Sequence, residues 1–230
     1  MQNETLNMRL AHILEQRCLL LFWALIALLV ALPFLSETTH GPAILVVVNV
    51  TILLTAVAAV GRSWLSFVIA VILILPALVF RFLALASSLP GYLALSWGFN
   101  AVFYAFILSN LLHYVFRRDF MSGDKLYGAV AAYMLVAVFW ANLHGVTQYF
   151  YPGAYALGGM PKALDMAELI YFSFVALTTA GFGDVTPALV QSRFLTVLEM
   201  IAGVMFVAIL IARLTGVYPV VDKPIADKKS

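Results

Sequence analysis

Charge is what this chain has least of. Asp, Glu, Lys and Arg make up 10% of its 230 residues, against about 25% in an average soluble domain. Hydrophobic residues make up 64% and mean hydropathy is +1.02, so a water-exposed fold is excluded and an integral membrane protein is expected. The net charge of +2 is too small for a nucleic-acid footprint. A single cysteine, Cys18, excludes an intrachain disulfide; inside the first apolar run it reads as a small buried hydrophobe. Residues 1–17 and 216–230 are too short to bury a core, so no cyclic-nucleotide or calcium-sensing module is expected in this chain. No small-residue cleavage site follows the first apolar run, and no signal peptide is expected.

Long apolar runs are plentiful. A helix crossing about 30 Å of hydrocarbon needs about 20 apolar residues. Six runs meet that: Cys18 to Leu35, Ala43 to Val60, Trp64 to Leu85, Tyr92 to Phe116, Leu126 to Leu143 and Leu189 to Leu214. Breaks at Pro33, Gly41-Pro42, Gly61, Pro90-Gly91 and Gly123 separate the first five. Six crossings put both tails on one side. Ten basic residues, Arg9, Arg17, Arg62, Arg117, Arg118, Lys125, Arg213, Lys223, Lys228 and Lys229, fall there, and only Arg81, Lys162 and Arg193 do not. The positive-inside rule makes that side cytoplasmic. The expected fold is therefore an all-α membrane protein of six transmembrane helices, with a re-entrant helix and loop between the last two.

That loop region is too polar for another crossing. Tyrosines, prolines and glycines between Gly145 and Lys162 suit the membrane interface. Asp165 and Glu168 stand three apart before the apolar run Leu169 to Thr178, the spacing of a helix N-cap and its reciprocal partner. Next comes Thr178-Thr179-Ala180-Gly181-Phe182-Gly183-Asp184. Glycines at 181 and 183 can take left-handed conformations at little cost, so successive carbonyls can turn to one side of an extended strand. Four such strands around an axis would replace a cation's water shell with oxygens.

This heptad resembles the potassium-channel signature TTVGYGD, with Ala180 where Val is usual and Phe182 where Tyr is usual. Six spans followed by such a filter resemble the six-helix potassium channels, strongly over Ala163 to Leu214 and in topology alone over residues 1–120. The resemblance implies a pore domain over residues 121–215, with residues 18–120 as a four-helix peripheral domain. It implies K+ coordination by Thr179, Ala180, Gly181 and Phe182, with Gly183 completing the filter oxygens and Thr178 supporting it. Three further identical subunits would complete a homotetramer in membrane lipid, with no nucleic acid, no enzyme activity and no cofactor beyond permeant K+. Tyr171 matches the position whose aromatic hydrogen-bonds the filter aspartate, here Asp184, and otherwise reads as an interfacial tyrosine. Gly203 matches the inner-helix hinge by its spacing from the filter, and close helix packing is its other reading. Val204, Val207 and Ile211 would line the cavity and inner gate.

Glu199 is the oddity of the last span. A carboxylate deep in a bilayer costs about 2.5–3.5 kcal/mol unless paired or protonated, and Arg193, six residues earlier, lies on a different face. It reads either as a structural hydrogen bond to the back of the re-entrant helix or as a proton sensor. His113 and His144 read as packed or interfacial histidines. The fourth run lacks the arginines at every third residue of voltage-gated relatives; Arg81 stands alone in the third, and Arg117 and Arg118 read as topology anchors. Little or no voltage dependence is expected. The expected activity is passive potassium conduction in a prokaryotic plasma membrane; the alternative is a weakly selective monovalent cation channel. A potassium transporter subunit would carry four degenerate filter loops where this chain has one, and an intramembrane enzyme would need paired groups that the spans do not supply.

Overall fold

The computed structural model describes residues 17–35, 50–52, 55–56, 64–87, 89–117 and 123–217. The order is α1 (Arg17–Leu35), α2 (Trp64–Ala86), α3 (Pro90–Val115), α4 (Gly123–Phe150), β1 (Tyr155–Leu157), β2 (Met160–Pro161), α5 (Met166–Leu177), β3 (Val185–Pro187) and α6 (Val190–Val217). Leu65–Ala86, Pro90–Val115, Gly123–Phe150 and Val190–Arg213 are long and apolar enough to cross a membrane; Cys18–Phe34 and Met166–Leu177 are apolar but shorter. The expected span from Ala43 to Val60 lies outside the described residues, apart from helical residues at 50–52 and 55–56.

The helices follow the apolar runs closely, with one instructive departure. The fifth run was expected to stop at Leu143, yet α4 continues to Phe150. Gly145, taken in sequence as the start of the polar loop region, lies inside α4 and serves packing: a Cβ there would stand 2.6 Å from the Trp97 ring, so glycine is what lets α3 lie close against α4. At the other end of α4 a Cβ on Gly128 would meet Cys18 Sγ at 3.2 Å, so α1 also packs close there. Thus α4 is the hub. It packs against α1, α3, α5 and α6, and its buried Leu135 and Val138 share one core with Tyr104 of α3 and Leu169 of α5.

The chain is predominantly helical, but not wholly as expected. A three-stranded antiparallel sheet of order β2-β1-β3 stands between α4 and α6. Its register pairs Leu157 with Met160, and Tyr155, Ala156 and Leu157 with Pro187, Thr186 and Val185. Gly158 and Gly159 connect β1 to β2 with φ of 57° and 82°, the left-handed pair that a two-residue hairpin needs. Strands of two or three residues are too short for an alternating pattern to appear in sequence. The sheet fixes the return of the chain: Gly158 N donates to Asp184 O at 2.9 Å, and Ala188 N to Ala154 O at 2.8 Å.

Candidate functional site

The site begins with why α5 starts and stops where it does. Asp165 Oδ1 accepts from Glu168 N at 2.9 Å, and Glu168 Oε2 accepts from Asp165 N at 3.0 Å, so the expected reciprocal cap is formed. Lys162 Nζ reaches Glu168 Oε1 at 2.5 Å on the exposed side. The side chain of Gln148, at the end of α4, clamps the entry as well: Nε2 donates to Leu164 O and Oε1 accepts from Leu164 N, both at 2.8 Å. Sequence reading passed over that clamp.

At the other end, Thr179 N donates to Ala176 O and Ala180 N to Val175 O, at 2.9 and 3.0 Å. With Thr178 as C-cap this is the Schellman arrangement, and it puts the next residue, Thr179, in the left-handed region at φ 57°. A β-branched residue rarely adopts that conformation, and holding it there costs about 1–3 kcal/mol. The glycines were anticipated as left-handed; the threonine was not. Its conformation follows from the helix terminus, which no residue-type preference announces.

Gly181 and Gly183 follow at φ 59° and 80°. Positive φ at 179, 181 and 183 undoes the side-to-side alternation of an ordinary strand. Among the described residues no hydrogen bond reaches a carbonyl between Thr178 and Gly183, whereas Leu177 O accepts from Tyr133 Oη at 3.3 Å and Asp184 O from Gly158. Thr178 to Asp184 is exposed throughout, Phe182 at 72%. A run of bare carbonyls is thus presented at the end of α5, where the helix dipole favours a cation. The Tyr171 hydroxyl beside Asp184, more than the backbone N–H groups that also reach it, holds the Asp184 carboxyl below the usual carboxylate range.

Residues 129–218 match the family model for "Ion channel". The voltage-gated potassium channel Kch of Escherichia coli (strain K12) is 25% identical to this chain over 174 residues, which cover 74% of this chain and 36% of that protein. The chain therefore spans little more than a third of the length of the relative it matches. No solved structure matches. The segment similar to ion channels begins inside α4 and ends with α6, so it contains the whole carbonyl run together with α5 and the Glu199 face of α6.

Within that segment, α6 buries one face and leaves another bare. Ser192, Thr196, Glu199 and Gly203 are buried, and Phe206 and Leu210 pack against the core at the same helical spacing. Val204, Val207 and Ile211 lie about a quarter-turn round the helix, at 57%, 42% and 55% exposure. Gly203 meets the end of α5: a Cβ there would stand 2.1 Å from Leu177 O. Of its two readings the packing one has a visible cause.

Glu199 is fully buried and partnered, though not by an arginine. Oε2 lies 2.7 Å from His144 Nε2 of α4, and Oε1 is hydrogen-bonded to Ser173 Oγ of α5. His144 Nδ1 in turn lies 2.6 Å from Tyr155 Oη of β1. Of the two readings of Glu199, the hydrogen-bonding one has a partner in Ser173 of α5. His144 is packed, at 0% exposure, as expected, but its role as the partner of Glu199 was missed. The signal available was a lone carboxylate in the last run and a histidine one residue beyond the fifth, in segments that the topology makes neighbours. Arg193 instead donates to Pro187 O at 3.3 Å.

Proposed function

We propose that this protein is a potassium-selective channel in which four identical chains bring residues 178–184 around one axis, within a six-crossing fold whose termini are cytoplasmic. What carries the reading is the carbonyl run at the C-terminal end of α5, left-handed at alternate residues 179, 181 and 183. Backbone that accepts no hydrogen bond from the protein cannot face lipid. It needs either water or an ion, and a narrow ring of carbonyls suits a dehydrated K+. In the tetramer, oxygens of Thr179, Ala180, Gly181, Phe182 and Gly183 replace the ion's hydration, Asp184 concentrates cations at the outer mouth, and Val204, Val207 and Ile211 line the cavity below. The similarity of residues 129–218 to ion channels supports this.

The test is reconstitution of the purified protein into liposomes, with rubidium uptake and reversal potentials measured with potassium on one side and sodium on the other. A reversal potential near the potassium equilibrium value is expected. Rubidium flux with a reversal near zero would make it the weakly selective cation channel. Mass measurement of the lipid-embedded particle decides the subunit count, and a monomer would end the proposal.

A further inference from the structure

The buried cluster behind α5 contains a chain of contacts whose hydrogens can be counted. Tyr155 Oη meets His144 Nδ1 at 2.6 Å, His144 Nε2 meets Glu199 Oε2 at 2.7 Å, Glu199 Oε1 meets Ser173 Oγ, and Ser173 Oγ meets the carbonyl oxygen of Ala137 at 2.6 Å. Each contact needs one hydrogen. Ala137 O can only accept, so the hydroxyl hydrogen of Ser173 belongs there. Ser173 then has none left for Glu199, and the hydrogen between them must come from Glu199 itself. Oε2 of that carboxylic acid accepts from Nε2–H of a neutral His144, whose bare Nδ1 accepts from the Tyr155 hydroxyl. Burial pushes the Tyr155 phenol up, so it keeps its proton to donate.

The charged alternative fails on the same count. If Glu199 were ionised beside an imidazolium, both Nδ1–H and the Tyr155 hydroxyl would crowd one contact. Ser173 would then face two acceptors with one hydrogen, leaving an oxygen pair without any. The titratable groups facing Glu199 are His144 from α4 and Tyr155 from β1; among the described residues α5 contributes only the Ser173 hydroxyl. The rings of Phe172 and Trp140 close around His144, with centroids 5.1 and 6.5 Å away.

From this assignment we infer that the Glu199, His144 and Ser173 cluster is a buried proton-holding site, in which Glu199 stays a neutral carboxylic acid at neutral pH and its proton pins α5 to α6. The hydrogen-bonded chain joins β1, α4, α6 and α5 without placing a charge in the membrane, where an ionised pair would have to offset a large desolvation cost. It makes Glu199 a standing clamp and removes it as a sensor of pH changes around neutrality. The inference does not depend on the channel reading.

The test is infrared spectroscopy and thermal unfolding of the full-length protein in lipid, which require no conduction. Wild type at neutral pH should show a carboxylic-acid C=O stretch that moves when glutamate is carbon-labelled and is absent in Glu199→Gln. The carboxamide of Glu199→Gln can donate to Ser173 and accept from His144 as the acid does, so this variant should melt with wild type, while Glu199→Ala should melt lower. A labelled wild-type spectrum without the band, or a Glu199→Gln melting temperature as low as that of Glu199→Ala, overturns the assignment. Should Glu199→Gln fail to fold, the labelled wild-type spectrum decides alone. A protein that shows the band yet carries no ions leaves the proton site standing and removes the channel reading.

Discussion

Replacing Gly203 by alanine separates a packing role from a hinge role by the sign of the stability change. A Cβ at 203 would stand 2.1 Å from Leu177 O, where real contacts essentially never fall below 3.0 Å, so about 0.9 Å must be found. The obstacle is a backbone carbonyl at the end of α5 and cannot rotate aside, so α5 or α6 must move. Forcing extra volume into a packed core costs about 1–3 kcal/mol, and the upper end applies where backbone must shift. Alanine returns about 1 kcal/mol of helix propensity. A net loss of about 2 kcal/mol corresponds to a melting temperature about 4–8 °C lower for a chain of this size. Near-ultraviolet circular dichroism during heating of the lipid-embedded protein measures it, with rubidium flux recorded in parallel. Movement of Leu177 O would also strain its bond from Tyr133 Oη, so flux should fall with stability. A Gly203→Ala protein that melts at or above the wild-type temperature would refute the argument, and loss of flux in that protein would restore the hinge.

Asp165→Ala removes the reciprocal cap of α5 and should cost about 1 kcal/mol, read as a lower melting temperature; Lys162→Ala, which removes only an exposed ion pair, should be nearly silent. Tyr171→Phe removes the leading cause of the lowered Asp184 carboxyl. Whatever depends on that carboxylate is present above the ordinary aspartate range and lost as pH falls through the lowered value, so the variant should lose rubidium flux at a higher pH on acidification, and an unchanged acid limb would count against the pair. Gly145→Ala puts a Cβ 2.6 Å from the Trp97 ring and should cost about 1–3 kcal/mol, with much of it recovered in a Trp97→Leu background if the clash is the cause.

What the sequence disclosed was whatever depends on composition or short spacing. The apolar runs located α1, α2, α3 and α6 to within a few residues, and Asp165 with Glu168 marked the start of α5. The heptad carried the carbonyl run because glycines at 181 and 183 are needed for its backbone. What escaped depends on neighbours distant in sequence. Nothing near Gly145 says that an indole ring will pack on it and let α4 run to Phe150. Thr179 is left-handed because of where α5 ends. The Gly158-Gly159 hairpin signal was present, but its strands are too short to confirm it by periodicity. The partner of Glu199 lies 55 residues away, and pairing it with His144 required knowing that α4 and α6 touch.

The C-terminal end of α6 is tied to the end of α3, far along the helix from residues 178–184. Arg213 Nη2 donates to Arg117 O at 2.7 Å, just beyond Phe116, the C-cap of α3, where helix carbonyls carry partial negative charge and favour a cation. Pro90 to Val115 contains no Lys or Arg, and each charge moved through the field would be worth about 2.3 kcal/mol per 100 mV, so on the proposed channel reading little voltage dependence is expected from that helix. A mechanical displacement of α3, however, would reach α6 through this bond. On the proposed channel reading, its loss should therefore alter how long the pore stays open and leave ion selectivity untouched. Arg213→Gln is expected to change single-channel open probability while the potassium-to-sodium permeability ratio stays at its wild-type value. A changed ratio with unaltered open times would mean that α6 acts on residues 178–184 along its own length, through Gly203 and Leu177, and that the tie to Arg117 has no part in gating.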